Sequence, residues 1–565
     1  MAVGWARRFL SITGEGNGLI KPRPPGRPWT SELHKPSPSN VRLVTQRRIP
    51  AMAVLSLILS PWAPLALVLG VVVLYLYQYL VTYRQLRGIP APFPAQFSDL
   101  WLMRVCRRGN RYSTVHELHQ KLGPVVRIQP NHVSICDDEA IQQIYGHGNG
   151  FLKSSFYDAF VSIQRGLFNT RDRAEHTRKR KIVAHTFSPK SVVQFEPYIH
   201  SNLALFVSQW DDLISRSPAG TATLDCLEWF NFLAFDVIGD LAFGAPFGML
   251  SSGADMAEVR ATPTSEPIYA PAIEILNRRG EVSAALGTHP QLKPYAHLLP
   301  DPFFSRGLQA VTSLAGIAIA RVRARLDNPP STARTDLLER LLQGRDDKGQ
   351  PLGRDELTAE ALTQLIAGSD TTSNTSCALL YHAVRTLHVL PRLRAELDAA
   401  IPAAVDVPTY EMVRDLPYLQ AVINETLRIH STSGIGLPRE VPPGSPGVWI
   451  RGRCYLAGTV LSVPTYSMHH SREIWGDDAD EFRPERWLGE GLTARQKGAF
   501  IPFSYGPRAC VGRNVAEMEM RLIVAAWVRR YDVSFAGGEG VELETREGFL
   551  RKPLGLDVRL SRRVL

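Results

Sequence analysis

The chain has 565 residues, 44% of them hydrophobic and 21% charged, with a formal net charge of +10, enough apolar material for one large core. Nine basic and only two acidic residues fall within residues 1–50, so the rest is close to balanced and nothing in the charge calls for a nucleic acid partner. The six cysteines (Cys106, Cys136, Cys226, Cys377, Cys454 and Cys510) lack paired spacing, which excludes a small disulfide scaffold and points to a reducing compartment.

Residues 1–51 form a basic, proline-rich leader without periodicity, expected to be disordered. Its prolines and two glutamates weaken a reading as a mitochondrial presequence, and the natural start is expected at Met52, or the leader to be dispensable. From Ile49 to Tyr83 there is neither a charge nor a histidine, and Pro64–Tyr83 is an apolar run long enough as a helix to span about 30 Å. Residues 52–83 therefore read as a single transmembrane anchor, with Trp62 at one interface and Tyr79 and Tyr83 at the other. Residues 84–98, with Pro90, Pro92 and Pro94, read as a stiff hinge. Residues 99–565 hold no Pro/Gly/Ser-rich linker after about residue 100 and read as one large domain.

Within that domain, Val125 to Ile135 alternates and is rich in β-branched residues, as a short hairpin does. Most of the remainder has helical periodicity, so the fold class is mainly α with small β-sheets. Phe151 to Asp172 is irregular and aromatic-rich, and Arg173 to Phe187 is a basic helix carrying His176 and, one turn on, Arg180. Its other charges, Arg178, Lys179 and Lys181, read either as a solvated face or as a docking face for an acidic partner. The longest helix is expected from Thr358 to Leu390, closed by Pro391. Its middle reads Ala367-Gly368-Ser369-Asp370-Thr371-Thr372, small and hydroxylated residues that can bond back to the preceding turn and open a helix locally. Gly368 disfavours a helix by about 1 kcal/mol relative to alanine, so a plain helix has little reason to carry it.

Glu425 and Arg428 follow at helical spacing, then Leu437-Pro438-Arg439, then Phe482-Arg483-Pro484-Glu485-Arg486-Trp487. Phe503 to Gly512 reads FSYGPRACVG: a lone cysteine in a turn whose glycines let the backbone pass close to something flat. A pattern of Phe503, Gly506, Arg508, Cys510 and Gly512 arises by chance on the order of once in ten thousand such chains. A cysteine without a CxxC partner stays ionised in protein surroundings only against a metal or a cation, which fits a thiolate ligand to haem iron. Cys510 is then the ligand, Phe503 its shield from water and Arg508 a counter-charge to a haem propionate; Gly506 takes the positive φ and Gly512 lets the next helix approach the macrocycle.

These motifs, in this order, resemble the cytochrome P450 superfamily. The resemblance implies haem b, Thr371 in contact with dioxygen and Asp370 in its proton relay, and propionate contacts from Arg180 and Arg439. His176 stands where the family places a tryptophan. Glu425, Arg428 and Arg486 are implied to form a buried structural ion network.

The stretches from Tyr145 (YGHGNGFLKSSFYDAFVSIQRGLFNTRDRAEHTRKRK), Asn277 (NRRGEVSA), Ala361 (ALTQLIAGSDTTSNTSC) and Glu544 (ETREGFLRKPLGL) are more narrowly similar to the fungal benzoate 4-monooxygenase family. That resemblance covers roughly residues 95–560 and implies para-hydroxylation of benzoate with dioxygen. No GxGxxG follows a strand, so NADPH would act indirectly through a separate NADPH-cytochrome P450 reductase, at an endoplasmic reticulum membrane with the catalytic domain in the cytosol. The alternatives are a monooxygenase of another small aromatic or fungal secondary metabolite, a rearranging P450 with no use for Asp370 and Thr371, and a non-enzymatic haem or membrane-scaffold protein. For the benzoate carboxylate, Arg165 is the charged candidate, with Asn169, Thr170 and Ser369 as neutral donors. Lys153 is set aside because its surroundings resemble those of many fungal P450s with uncharged substrates.

Overall fold

A computed structural model describes residues 62–330, 334–345 and 349–564. The leader 1–51, the expected start at Met52 and the first part of the 52–83 anchor lie outside the described residues. Helix α1, Ala63–Tyr77, continues through a π-helical turn, Gln78–Thr82, and Leu69, Val73 and Leu74 on it are exposed.

Leu100–Arg108 (α2) and Arg111–Leu122 (α3) precede the expected hairpin, which forms as β1, Val125–Gln129, and β2, His132–Ile135. The irregular aromatic stretch contains β3, Leu152–Lys153, and a 3-10 turn, Ser155–Phe160. The basic helix α4 runs Arg173–Ala184, opened by Asp172, whose side chain accepts the Glu175 N–H. Cys226–Phe243 (α5), Ala272–Gly287 (α6) and Pro302–Asp327 (α7) lead to the long helix α8, Arg354–Arg385. Among the described residues α7 alone is long and apolar enough to cross a bilayer, but half of its most apolar window is buried within the protein. Val389–Ala400 is α9 and Pro417–Ile429 is α10. Strands β4, Arg439–Glu440, and β5, Val460–Ser462, complete a five-stranded sheet in the order β1-β2-β5-β4-β3, with β5 parallel to β2 and the other pairs antiparallel. The last helix, α11, is Arg513–Arg530, and the hairpin of β6, Thr545–Glu547, and β7, Arg551–Pro553, follows it.

Helix α8 lies in the main core, and from Ser369 to Ala383 almost every residue is buried. Three of its hydroxyls bond back to their own helix, Ser369 to Leu365 O (2.7 Å), Ser373 to Ser369 O (3.0 Å) and Thr375 to Thr371 O (2.8 Å), while the buried Ser376 hydroxyl has no partner among the described residues. Despite these back-bonds the helix is continuous. Gly368 has a packing reason: a Cβ there would sit 2.7 Å from Ile238 Cδ1 on α5. The helix ends at Arg385, earlier than expected, because Thr386 turns to extended backbone. Pro391 does not close it; it sits in the first turn of α9, where its missing N–H has no partner to lose.

Glu425, Arg428 and Arg486 meet as expected. Arg428 donates twice to Glu425 (2.9 and 2.8 Å), and Arg486 Nε (2.9 Å), Trp487 Nε1 (2.9 Å) and the Arg483 N–H (3.0 Å) donate to the same carboxylate. Arg428 also donates to the carbonyls of His469, Ala479 and Glu481. Burial pushes the Glu425 carboxyl up, but these donors outweigh it and hold it below its usual range.

Candidate active site

The turn ahead of α11 is closed by Cys510 N–H donating to Phe503 O (2.9 Å) and Ala509 N–H to Gly506 O (3.0 Å). Gly506 has φ +70°, and a Cβ on it would lie 1.9 Å from Tyr145 O, so this position admits no side chain. Cys510 is open to solvent in a recess that the protein surrounds. Burial pushes the thiol up, opposed by the N–H groups of Gly512 and Arg513 and by the Arg180 and Arg513 guanidinium groups. A thiolate here already has its donors arranged.

Around this turn lies a group of cations. Arg180 Nη1 donates to Ala509 O (2.7 Å), and Arg508 donates to Thr170 O (2.7 Å) and Arg171 O (3.2 Å). Arg439 on β4 gives one nitrogen to Tyr157 Oη (3.0 Å), while its buried Nη2 has no partner. Lys153 pairs in register with Arg439 across β3 and β4 and donates to Phe168 O. His176 is buried within reach of all four. Burial first, then the Arg508, Lys153, Arg180 and Arg439 charges, hold His176 at about 3, so it is neutral at ordinary pH. Burial and the Arg439, Arg508 and Arg180 charges drive Lys153 well below its usual value, and Arg508 is lowered to about 10, chiefly by burial. None of these five side chains is ion-paired to a carboxylate among the described residues.

Haem fits this arrangement on two counts: Cys510 can supply one thiolate, and cations with no carboxylate among the described residues match two propionates. The sequence left out Lys153 here; its signal was the pairing of a two-residue strand with the Arg439 strand, which composition does not reveal.

On α8, Ala367 is exposed and Thr371 half-buried in the middle of a helix otherwise packed into the core. Thr371 Oγ1 donates to Ala367 O (2.6 Å), and Asp370 Oδ1 accepts from Asn374 Nδ2 (3.3 Å). The next residue ties α8 to the helix that follows Cys510: Thr372 Oγ1 donates to Glu519 Oε2 (2.9 Å). Burial raises the Glu519 carboxyl to about 7, against the Thr372 hydroxyl. Sequence reasoning missed Glu519, whose only signal was an acid on an apolar helix face.

The four candidates for a substrate carboxylate are committed elsewhere. Arg165 is half-exposed, ion-paired with Asp158 (2.8 Å) and bonded to Asn169 O (3.1 Å). Thr170 donates to Gly166 O (2.7 Å), Ser369 to Leu365 O, and Asn169 Nδ2 to Phe160 O (3.1 Å), leaving only an Asn169 acceptor atom unpaired. Nor do Arg178 and Lys179 form a free docking face. Lys179 is buried against Glu356 and Glu360, and Arg178 pairs with Glu175 and Glu356.

Comparison with known proteins adds three findings. The cytochrome P450 family model matches residues 88–560. A benzoate 4-monooxygenase of Aspergillus niger is 60% identical over 517 residues, covering 90% of this chain and 99% of that protein. A trichothecene C-15 hydroxylase of Fusarium sporotrichioides is 32% identical over 492 residues, covering 85% of this chain and 94% of its own.

Proposed function

The chain belongs to the cytochrome P450 family, and from that premise we propose that it hydroxylates benzoate at the para position to 4-hydroxybenzoate, using dioxygen and electrons that originate in NADPH. The observation that carries this reading is the 60% identity to the Aspergillus niger benzoate 4-monooxygenase over 99% of that enzyme. Haem, which Cys510 would hold, would supply the redox chemistry for inserting one oxygen atom of dioxygen into the ring.

The residues of the chain do the rest. Arg180, Arg439, Arg508 and Lys153 would hold the propionates, with neutral His176 among them. Thr371 uses Oγ1 to pass protons toward the bound gas, its own hydrogen given to Ala367 O between turns. Asp370 restocks it, oriented by the Asn374 amide. With haem in place, Phe503, whose carbonyl accepts the Cys510 N–H and closes the turn, would keep water from the sulfur.

Electrons come from an NADPH-cytochrome P450 reductase. The exposed apolar helix over residues 63–82, shorter than a full span by the measure that α7 meets but part of the uncharged run from Ile49 to Tyr83, supports anchoring in the endoplasmic reticulum membrane, with the catalytic domain in the cytosol.

Adding benzoate to the purified ferric protein tests the reading: the expected spectrum shows displacement of water from the iron, and with reductase and NADPH 4-hydroxybenzoate accumulates. No spectral change and no product would remove benzoate as the substrate. Thr371→Ala is expected to keep haem and benzoate but divert reduced oxygen to peroxide; unchanged coupling of NADPH to product would take Thr371 out of the relay.

A further inference from the structure

Adjacent arginines on α6 have opposite fates. Arg278 faces solvent and is ion-paired with Glu274 (2.8 Å). Arg279 falls on the inward face, between Leu276 and Ser283, and is 5% exposed. Its Nη2 donates to Phe160 O (3.0 Å) and its guanidinium lies over the Phe160 ring, 5.2 Å from the centroid. Among the described residues its Nε has no partner and no carboxylate pairs with it, and the buried Ser283 hydroxyl one turn along has no partner either. This is a cation taken out of water with nothing opposite it, an arrangement that a protein holds only against its own stability.

The site stands apart from the haem cradle. Arg279 is lowered to about 10 by burial alone, and it is not among the charges that shift Lys153, His176 or Arg508. The Phe160 carbonyl that it shares with Asn169 belongs to an aromatic wall: Phe160 packs on Phe156 (5.2 Å), Phe168 (5.7 Å) and Phe549 (5.0 Å). Phe549 comes from the turn of the β6–β7 hairpin, pressed so closely on α6 that a Cβ at Gly548 would lie 2.8 Å from Glu281 N. An unpaired buried guanidinium against a wall of phenylalanines matches a ligand that is a benzene ring with one carboxylate.

We propose that Arg279 anchors the carboxylate of the aromatic acid, through Nε with Ser283 Oγ as second donor, and so fixes which ring carbon is oxidised. This inference rests on benzoate being the substrate. It replaces Arg165, whose charge Asp158 already answers.

The test compares benzoate with its uncharged amide, benzamide, by spectral titration and calorimetry on haem-loaded wild type, Arg279→Met and Arg279→Lys. The thiolate band with carbon monoxide checks the fold of each. Arg279→Met is expected to weaken benzoate by about 100-fold, the scale of truncating one side of a buried charge pair, while benzamide affinity stays unchanged and Arg279→Lys recovers part of the loss. Benzoate affinity within about twofold of wild type, or equal loss of both ligands, overturns the anchor. Wild type that binds neither product-forming nor inhibitory benzoate sinks the substrate reading instead. Should Arg279→Met lose its fold, Arg279→Gln takes its place, and wild type binding benzamide as tightly as benzoate also overturns the proposal.

Discussion

Two buried groups of charge in this molecule differ in one respect: whether the protein completes them. Around Glu425, two guanidinium groups, an indole and a backbone N–H converge on one carboxylate, and the spare nitrogens of Arg428 reach three carbonyls. Around Cys510, four basic side chains lean on backbone carbonyls and a phenol beside a neutral histidine, and among the described residues no carboxylate answers them. A closed network is finished by folding and holds shape; an open one is finished by what binds. The same distinction separates Arg278 from Arg279.

The comparison is broken most completely at Cys510. Cys510→Ala is expected to abolish the thiolate band of the carbon monoxide difference spectrum; a band of full height would show that the turn is not the ligand loop. In the closed network, Glu425→Gln strands two buried cations and is expected to lower stability by about 3–5 kcal/mol, read by denaturant unfolding. Retained stability would mean that the network is not shape-holding. Arg439→Met sharpens the contrast from the open side. It removes a cation with an unpartnered nitrogen, so the haem-free protein should be no less stable, while haem affinity falls by about tenfold, the scale of one charge-assisted hydrogen bond. A loss of stability without a loss of haem would class Arg439 with Arg428. The smallest effect is expected of Arg165→Leu: its half-exposed pair with Asp158 contributes little, and benzoate affinity should change by less than about twofold.

The sequence made most of this legible where signals are local. The order of the motifs, the hairpin at Val125, the helix carrying His176 and Arg180, and the Glu425 spacing all survive in the structure because each rests on neighbours along the chain. What was not legible depends on partners far away. Arg178 and Lys179 read as free charges because Glu356 and Glu360 lie on another helix, and Gly368 read as the sign of a locally opened helix because Ile238 was invisible to it. Arg165 misled for a different reason: Asp158 is near in sequence, but in an irregular stretch spacing does not foretell pairing. Arg279 was hidden by its twin, since adjacent arginines on a helix face opposite ways and only packing shows which one turns inward.

The use of main-chain carbonyls by the cradle bears on how the protein survives in a cell. Arg180 rests on Ala509 O, Arg508 on Thr170 O and Lys153 on Phe168 O, so the mutual repulsion of these cations is carried by two loops, the Cys510 turn and the stretch ahead of α4, rather than discharged. Whatever neutralises them adds its binding free energy to that of folding, and stability rises with the logarithm of its free concentration. The steady-state amount of this protein should therefore track the haem supply of the cell, falling under iron starvation through turnover of the chain before any change in its message.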